Sequence, residues 1–182
     1  MKLERYISAE YLHQQKLLHK QPKGYGGRGD KWAEAAQGLI DKYNVGSVLD
    51  YGCGQGTLVN ALRKKRKHVH MMEYDVAIKG KDGDPQPADL VICTDVLEHI
   101  EPDKLGVVID HLFKLTRKVL FLVIATRPSK KFLDDGRNSH LIIEPDSWWK
   151  ERVTHPSFDF VDPPQSPLKE PSREYVALLV KK

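Results

Sequence analysis

The chain has 182 residues, 40% of them apolar and 30% charged, which is typical of a single folded domain with one hydrophobic core. Its formal net charge of +4 favours a nucleic-acid partner only weakly. No apolar run approaches the roughly 18 residues of a membrane span, and the first residues lack a signal peptide's apolar core, so we expect no membrane association. Cys53 and Cys93 fall in predicted core or ligand-binding elements, so we expect free thiols and a cytoplasmic protein.

Residues 1–44 are predicted to form a segment of two helices. Apolar residues at helical spacing between residues 8 and 20 predict the first helix, which Ser8 is placed to cap. Residues 21–29 contain four glycines and one proline, which predict a mobile loop. Asp30 is placed to cap a second helix that continues to about residue 43.

A short buried strand ending at Asp50 is followed by Gly52, Gly54, Gly56 and a helix. Glycines at this spacing allow the backbone to bend sharply and to approach a ligand, and the helix directs its free N–H groups toward that ligand. A dinucleotide fingerprint would place the third glycine one residue later, and no Lys-Ser/Thr pair of a phosphate-binding loop follows. The pattern therefore predicts a ligand site of another kind.

Helices and strands alternate through the middle of the chain. The helix at residues 57–66 leads into a basic run at 63–67, which is typical of a solvated helix end but would also suit a phosphate-binding patch. Strands are predicted at residues 69–75, 88–95 and 119–125, with a helix from Pro102 to about residue 116. This alternation predicts a parallel, doubly wound α/β sheet.

The last third combines polar loops with two further strands. A polar loop is predicted at residues 134–140, a helix from Glu144 to about residue 153, and strands at 158–161 and 175–180. The connection at residues 162–172 contains four prolines and is predicted to be a loop.

Two motifs identify a family resemblance. The pattern Asp50-x-Gly-x-Gly-x-Gly56 and the segment Asp95-Val-Leu-Glu-His-Ile100 resemble class I S-adenosylmethionine (SAM)-dependent methyltransferases over residues 45–126. The resemblance implies one Rossmann-like domain with a mostly parallel sheet and an antiparallel C-terminal edge strand. Residues 1–44 would form a lid, 45–126 the cofactor-binding core, and 127–182 the substrate side. Residues 76–88 are too short for the family's third strand and helix, which are predicted to be missing.

The resemblance also implies SAM as cofactor and a set of residues that bind it. These are Asp50, Tyr51, Gly52, Cys53, Gly54, Gly56, Glu73, Tyr74, Asp75, Thr94, Asp95 and Val96. A carboxylate after the second strand accepts hydrogen bonds from both ribose hydroxyls in this family. Glu73 and Asp75 compete for this role, and Asp75 at the strand end is the better match. The family's adenine contact has no clear counterpart; Asp82 and Asp84 are candidates.

The residues predicted to act in catalysis are Asp95, Glu98 and His99. His99 could act as a general base. Alternatively, the Asp/Glu-x-x-Glu-His pattern resembles a metal-binding pattern of O-methyltransferases that act on ubiquinone precursors and on the 3′ end of small RNAs. Glu98, His99 and His140 could then bind a divalent metal. A third interpretation is that Glu98 and His99 only close the start of a helix.

Substrate contacts are expected after the predicted strand at 119–125. The candidates are Arg127, Arg137, Asn138, His140, Trp148 and Trp149, and Tyr25 and Trp32 are candidates for a lid. The two arginines could bind a phosphate or carboxylate or form surface ion pairs, and at most one of the adjacent tryptophans could stack on an acceptor.

Three functions follow from these patterns. The first is methyl transfer to oxygen, or nitrogen, of a small-molecule or sugar-like acceptor. The second is O-methylation of a nucleic acid, RNA or DNA, with or without assistance from a divalent metal. The chain lacks the Asn/Asp-Pro-Pro-Tyr/Phe motif of enzymes that methylate base amino groups. The third is SAM binding without catalysis. The oligomeric state is left open.

Overall fold

The computed structural model describes residues 3–21, 25–167 and 173–182. Parts of the loops predicted at 21–29 and 162–172 therefore lie outside the described residues. The α-helices are α1 (Ala9–His19), α2 (Ala33–Lys42), α3 (Thr57–Lys65), α4 (Leu105–Leu115) and α5 (Asp146–Arg152). The strands are β1 (Ser47–Tyr51), β2 (His70–Tyr74), β3 (Ala88–Thr94), β4 (Thr116–Ala125), β5 (Phe158–Val161) and β6 (Glu174–Lys181).

The six strands form one sheet in the order β2-β1-β3-β4-β6-β5. The first four strands pair in parallel, and β6 runs antiparallel to both β4 and β5, between which it lies. The described residues 76–87 contain neither helix nor strand, so β2 is the edge of the sheet. The predicted fold, with its missing third strand and antiparallel C-terminal pairing, is confirmed.

Both faces of the sheet are covered, as a doubly wound fold requires. On one face, α2 and α3 pack against β1, β3 and β4. On the other face, α4 and α5 form a second core cluster. Trp32 is fully buried in the first cluster, with its ring centroid 5.4 Å from that of Phe121. Trp32 is therefore a core residue and not part of a lid.

Several element boundaries differ from the prediction for local reasons. Ser8 caps α1 as predicted, since its hydroxyl oxygen accepts the Tyr11 N–H at 3.1 Å. The second helix begins at Ala33, because residues Gly29–Trp32 form a 3₁₀ turn. At the end of α4, the Thr116 hydroxyl donates to the Leu112 carbonyl at 2.7 Å, and β4 begins at once without a loop.

The longest α-helices contain only 11 residues, so within the part of the chain that is described no helix has the length and apolar character needed to cross a bilayer.

Candidate functional site

A cavity of about 560 Å³ opens at the carboxyl ends of the parallel strands. Ligands of open α/β sheets bind at this edge, and the volume lies within the range of about 300–1,000 Å³ typical of ligand sites. Its walls come from α1, residues 25–29, the turn after β1, the ends of β2 and β3, and residues 127–131. The two parts of the N-terminal segment therefore have different positions: α1 and residues 25–29 border the cavity, whereas α2 belongs to the core.

The turn after β1 forms the centre of the cavity wall. Gly52 and Gly54 adopt φ angles of +76° and +51°, a region that L-residues with a side chain rarely occupy. The N–H groups of Gly52 and Cys53 donate to the Tyr74 carbonyl at 2.7 and 3.0 Å, which ties the turn to β2. A Cβ at Gly54 would collide with the backbone of Gly26. The turn thus requires glycine both for its conformation and for the close approach of residues 25–29.

The structure separates the two carboxylates that compete for the ribose. The Asp75 carboxylate lines the cavity and accepts the N–H groups of Gly54 and Ala77, both at 2.9 Å. Because an ionised carboxylate has about four lone-pair sites, two remain for a ligand. Glu73 does not line the cavity, and it instead forms ion pairs with Lys81 and Arg63 at 2.9 and 3.1 Å.

Asp50 lies buried beneath the glycine turn. Burial, reinforced by the nearby charge of Glu73, raises the pKa of the Asp50 carboxyl to about 7. Of the twelve residues predicted to bind the cofactor, only Gly56 and Glu73 are not part of the cavity wall. Asp82 and Asp84, the candidates for an adenine contact, are also outside it.

Asp95 leaves β3 with a left-handed φ of +56°. Lys31, from the 3₁₀ turn before α2, donates to Asp95 Oδ2 at 2.7 Å and to Glu174 Oε1 at 3.5 Å. This lysine connects the N-terminal segment to β3 and β6 across the cavity. No sequence pattern distinguishes Lys31 from the other lysines, and only the tertiary structure identifies it.

His99 and His140 lie side by side with their rings perpendicular and their centroids 4.7 Å apart. Nδ1 of His99 lies 2.6 Å from the Ser139 carbonyl oxygen, and Nδ1 of His140 lies 2.6 Å from that of Arg127. A carbonyl only accepts, so each Nδ1 is assigned the proton and each Nε2 keeps its lone pair. Burial and the neighbouring His140 lower the pKa of His99 to about 4, and burial also lowers the pKa of His140.

Glu98 is completely buried behind these two rings. Its Oε1 accepts the Ala125 N–H at 3.1 Å, whereas its Oε2 has no hydrogen-bond partner among the described residues. Burial, together with the charge of Asp95, raises the pKa of Glu98 well above its usual value. One ligand atom from each of Glu98, His99 and His140 lies within 4.8 Å of the others.

A backbone connection brings His140 to this place from a segment that lies far along the chain from Glu98 and His99. The N–H groups of Leu141 and Ile142 donate to the Glu98 carbonyl at 2.8 and 3.1 Å. The sequence supplied both Glu98 and His99 in one motif, but their proximity to His140 depends on this long-range pairing.

The structure places only two of the six predicted substrate residues at the cavity, Arg127 and His140. Arg137 is exposed and pairs with Asp135, whose carboxylate accepts its Nε–H at 2.8 Å. Trp149 is fully buried in the core. The ring of Trp148 lies 3.4 Å below the Arg152 guanidinium. Neither tryptophan can stack on an acceptor in this cavity, which corrects that prediction.

Asn138 is also outside the cavity wall. Its side chain accepts the Ser129 N–H at 3.0 Å and donates to the Ser129 carbonyl at 2.9 Å. It therefore holds the loop after β4 instead of contacting a substrate.

The cavity wall contains further residues, of which Tyr25 was expected from the sequence and the others were not. The Tyr25 hydroxyl, a predicted lid group, lies 3.1 Å from His99 Nδ1, so residues 25–29 reach the two histidines. The unpredicted residues include the cationic side chains Arg28, Lys31, Lys130 and Lys131 and the α1 residues Tyr11, Gln15 and His19. The basic run at 63–67 contributes no residue to the wall, and its Arg63 and Arg66 pair with Glu73 and Asp41.

A family model described as a methyltransferase domain matches residues 15–162. No curated protein matches the sequence significantly.

Solved structures share the fold at low sequence identity. Magnesium protoporphyrin IX methyltransferase from Synechocystis PCC 6803, with bound SAM, is 19% identical, with a TM-score of 0.60 and coverage of 94% of this chain and 80% of that one. The 1,6-didemethyltoxoflavin-N1-methyltransferase of Burkholderia thailandensis is 16% identical, with a TM-score of 0.56 and coverage of 96% and 84%. The small RNA methyltransferase HEN1 is 15% identical, with a TM-score of 0.55 and coverage of 82% and 25%.

Proposed function

Because this chain belongs to the methyltransferase domain family, we propose that it transfers the methyl group of SAM to a hydroxyl oxygen of a small acceptor. The observation that carries the choice of oxygen is the cluster of unused ligand atoms on Glu98, His99 and His140. A neutral hydroxyl is a weak nucleophile that attacks well only as it loses its proton, whereas a neutral amine attacks without prior deprotonation. A cluster suited to a divalent cation therefore favours oxygen as the methyl acceptor.

The cavity wall fits SAM at three places. The backbone of Gly52 and Gly54 lines the cavity, and a Cβ at either position would collide with Val96 or Gly26 and displace this wall. The two remaining lone-pair sites of Asp75 suit the vicinal hydroxyls of a ribose. Side chains with apolar surface, among them Tyr6, Val76 and Val108, line part of the wall and suit a flat base.

The reaction is an in-line displacement, in which SAM supplies a sulfonium-bound methyl whose C–S bond breaks as the acceptor oxygen bonds to carbon. The protein has to hold the acceptor oxygen near the methyl carbon and favour loss of the hydroxyl proton. Asp95, which lines the cavity and pairs with Lys31, and the neighbouring Glu98, His99 and His140 are the residues that we assign to this end of the site.

The low pKa of His99 favours a metal ligand over a general base. An imidazole with a pKa of about 4 is a weak base at neutral pH, where efficient general bases have a pKa near the working pH. The same low pKa keeps Nε2 deprotonated, so its lone pair can bind a metal in place of the Tyr25 hydroxyl 3.5 Å away. A cation would also give the buried Glu98 Oε2 the partner that it lacks. We therefore assign Glu98, His99 and His140 as ligands of a divalent cation, which would lower the pKa of the acceptor hydroxyl.

A small acceptor agrees better with the cavity than a nucleic acid does. The cavity lies between α1, residues 25–29 and the strand ends, and the exposed basic run at 63–67 does not reach it. The buried free cysteines, Cys53 and Cys93, agree with a protein of the reducing cytoplasm.

Calorimetric titration of S-adenosylhomocysteine (SAH) tests the cofactor site. We expect Asp75→Asn to weaken SAH binding at least tenfold, because the amide loses an acceptor for the ribose hydroxyls. Asp159→Asn, an exposed change on β5, should bind SAH like the wild type. An unchanged SAH affinity in Asp75→Asn would remove Asp75 from the site.

Titration of Mn²⁺, followed by electron paramagnetic resonance, tests the metal cluster. We expect one bound ion in the wild type, and a loss of at least tenfold in affinity in Glu98→Gln and His140→Ala. His70→Ala, at an exposed position of β2, is the matched control. Equal Mn²⁺ binding by the wild type and both variants would refute the metal assignment.

Methyl transfer from radiolabelled SAM into a small-molecule fraction and into total RNA of a cell extract identifies the acceptor class. Label in the small-molecule fraction alone supports the proposal. Label in RNA supports the nucleic-acid alternative, and SAH binding without any labelled product supports a non-catalytic protein.

A further inference from the structure

The loop that follows β4, residues 127–131, presents positive charge to the cavity. Arg127, Lys130 and Lys131 all line the wall there. Lys131 Nζ donates to the Gln21 side-chain oxygen at 3.1 Å. The half-buried Arg127 guanidinium and the exposed Lys130 ammonium form no hydrogen bond or ion pair with the side chains of residues 3–21, 25–167 and 173–182.

Two carboxylates of the cavity wall, Asp95 and Glu101, have partners other than this loop. Asp95 accepts from Lys31, and Glu101 accepts from the N–H and hydroxyl of Ser8 at 2.8 and 2.6 Å. No carboxylate of the described residues forms an ion pair with Arg127 or Lys130.

The cofactor does not account for these charges either. SAM carries a sulfonium and an ammonium against a single carboxylate, so its net charge is +1, and additional cations beside it would repel it. Arg28 is the cation on the segment that contacts the glycine turn, where the Gln55 N–H donates to the Gly26 carbonyl at 2.8 Å. One cation at that place is enough for the cofactor carboxylate. Arg127 and Lys130 then remain without an anionic partner among the described residues.

We propose that the methyl acceptor carries an anionic group, phosphate or carboxylate, which Arg127 and Lys130 bind beside His140. This inference rests on the proposed methyl transfer and names the chemical class of its acceptor. A guanidinium presents its donors as a planar fork that matches two oxygens of either anion. Lys130 adds a point charge from the same loop.

The loop is built to hold these cations in place. Asn138 binds both backbone groups of Ser129, the Ser139 N–H donates to the Lys131 carbonyl at 3.0 Å, and the Lys131 N–H donates to the Ser129 hydroxyl at 3.0 Å. These bonds fix the backbone between the two cations before a ligand arrives, which reduces the entropy cost of binding. Asn138 is thus a positioning residue for the anion site.

The anion site adjoins the cluster assigned to the acceptor hydroxyl. The carbonyl of Arg127 accepts the Nδ1–H of His140 at 2.6 Å, so the residue that carries the guanidinium contacts the cluster directly. An anion bound by Arg127 therefore lies next to the cluster of Glu98, His99 and His140. Its position would orient the hydroxyl to be methylated toward the cofactor.

Calorimetric titration of phenyl phosphate and of benzoate into SAH-saturated protein tests the inference. EDTA is present throughout, so that a bound metal cannot hold the anion. We expect the wild type to bind at least one probe, and Arg127→Gln and Lys130→Gln each to weaken that binding at least fivefold. Arg117→Gln and Lys64→Gln, both exposed and outside the cavity wall, are the matched controls and should bind like the wild type.

The preferred probe identifies the group, because stronger binding of phenyl phosphate indicates a phosphate and stronger binding of benzoate indicates a carboxylate. Asn138→Ala, which leaves both cations present, should weaken probe binding while SAH binding is unchanged. Probe binding that is absent, or equal in Arg127→Gln and the controls, overturns this inference alone if SAH still binds. A wild type that fails to bind SAH overturns the proposed function together with it.

Discussion

Replacing Gly54 by alanine tests how the glycine turn and the N-terminal segment depend on each other. Gly54 adopts φ +51°, so a side chain costs about 1–2 kcal/mol of backbone strain. The new Cβ would also collide with the Gly26 carbonyl, which accepts the Gln55 N–H at 2.8 Å. Losing that hydrogen bond costs about 1 kcal/mol more. We therefore expect Gly54→Ala to lower the free energy of unfolding by about 2–3 kcal/mol.

Gly136→Ala provides the matched control. Gly136 also has a positive φ, +85°, but nothing lies within 4 Å of the position of its Cβ. It should therefore lose only the strain, about 1–2 kcal/mol. For a domain of this size, 1 kcal/mol corresponds to about 2–4 °C in Tm.

Thermal unfolding and SAH calorimetry of both variants give the result. Because residues 25–29 line the cavity, their displacement in Gly54→Ala should weaken SAH binding at least tenfold, whereas Gly136→Ala should bind SAH normally. If the two variants have the same Tm and the same SAH affinity as each other, the contact between Gly26 and Gly54 does not hold the cavity together, and this reasoning is refuted.

Two further predictions concern charge. The folded pKa of Asp50, about 7, lies above its unfolded value of 3.8. Between these two pH values the folded state binds more protons than the unfolded state. The contribution of Asp50 to the free energy of unfolding is therefore lost as pH rises from 3.8 to about 7. Asp50→Asn should remove this loss. In urea unfolding of the apoprotein, the stability of the variant relative to the wild type should rise from pH 4 to pH 7, by roughly 4 kcal/mol at most. A difference in stability that is constant across these pH values would contradict the shifted pKa. Lys31→Met should destabilise the protein by about 1–3 kcal/mol, because the fully buried Glu174 side chain loses its cationic partner. The control is Lys118→Met, which breaks a partly exposed ion pair with Asp89 and should cost less than about 1 kcal/mol. Equal effects of the two lysine substitutions in urea unfolding would show that Lys31 acts as an ordinary surface charge.

The proposed metal cluster shows how much of the site one short motif could predict. Glu98 and His99 are neighbours in the chain, so their chemistry could be predicted from one short segment. Which of the later histidines joins them depends on the hydrogen bonds from residues 141 and 142 to the Glu98 carbonyl. The prediction of His140 came from a family resemblance and not from any local signal.

The fold class and the cofactor edge of the site were determined by the sequence itself. Periodicity, glycine spacing and loop length are local properties, and they determined the alternating elements, the turn at residues 52–56 and the missing third strand. Tertiary structure alone decided which polar side chains meet in the cavity. Arg127 and Arg137 look alike in the sequence, yet Asp135, two residues away, pairs with Arg137 and leaves Arg127 free. The sequence could not say which of Trp148 and Trp149 packs, and only the position of α5 in the fold makes Trp149 the buried one. The burial of Trp149 depends on elements distant in sequence, and the pairing of Arg137 with Asp135 depends on the folded backbone of the loop, and neither is contained in a short pattern.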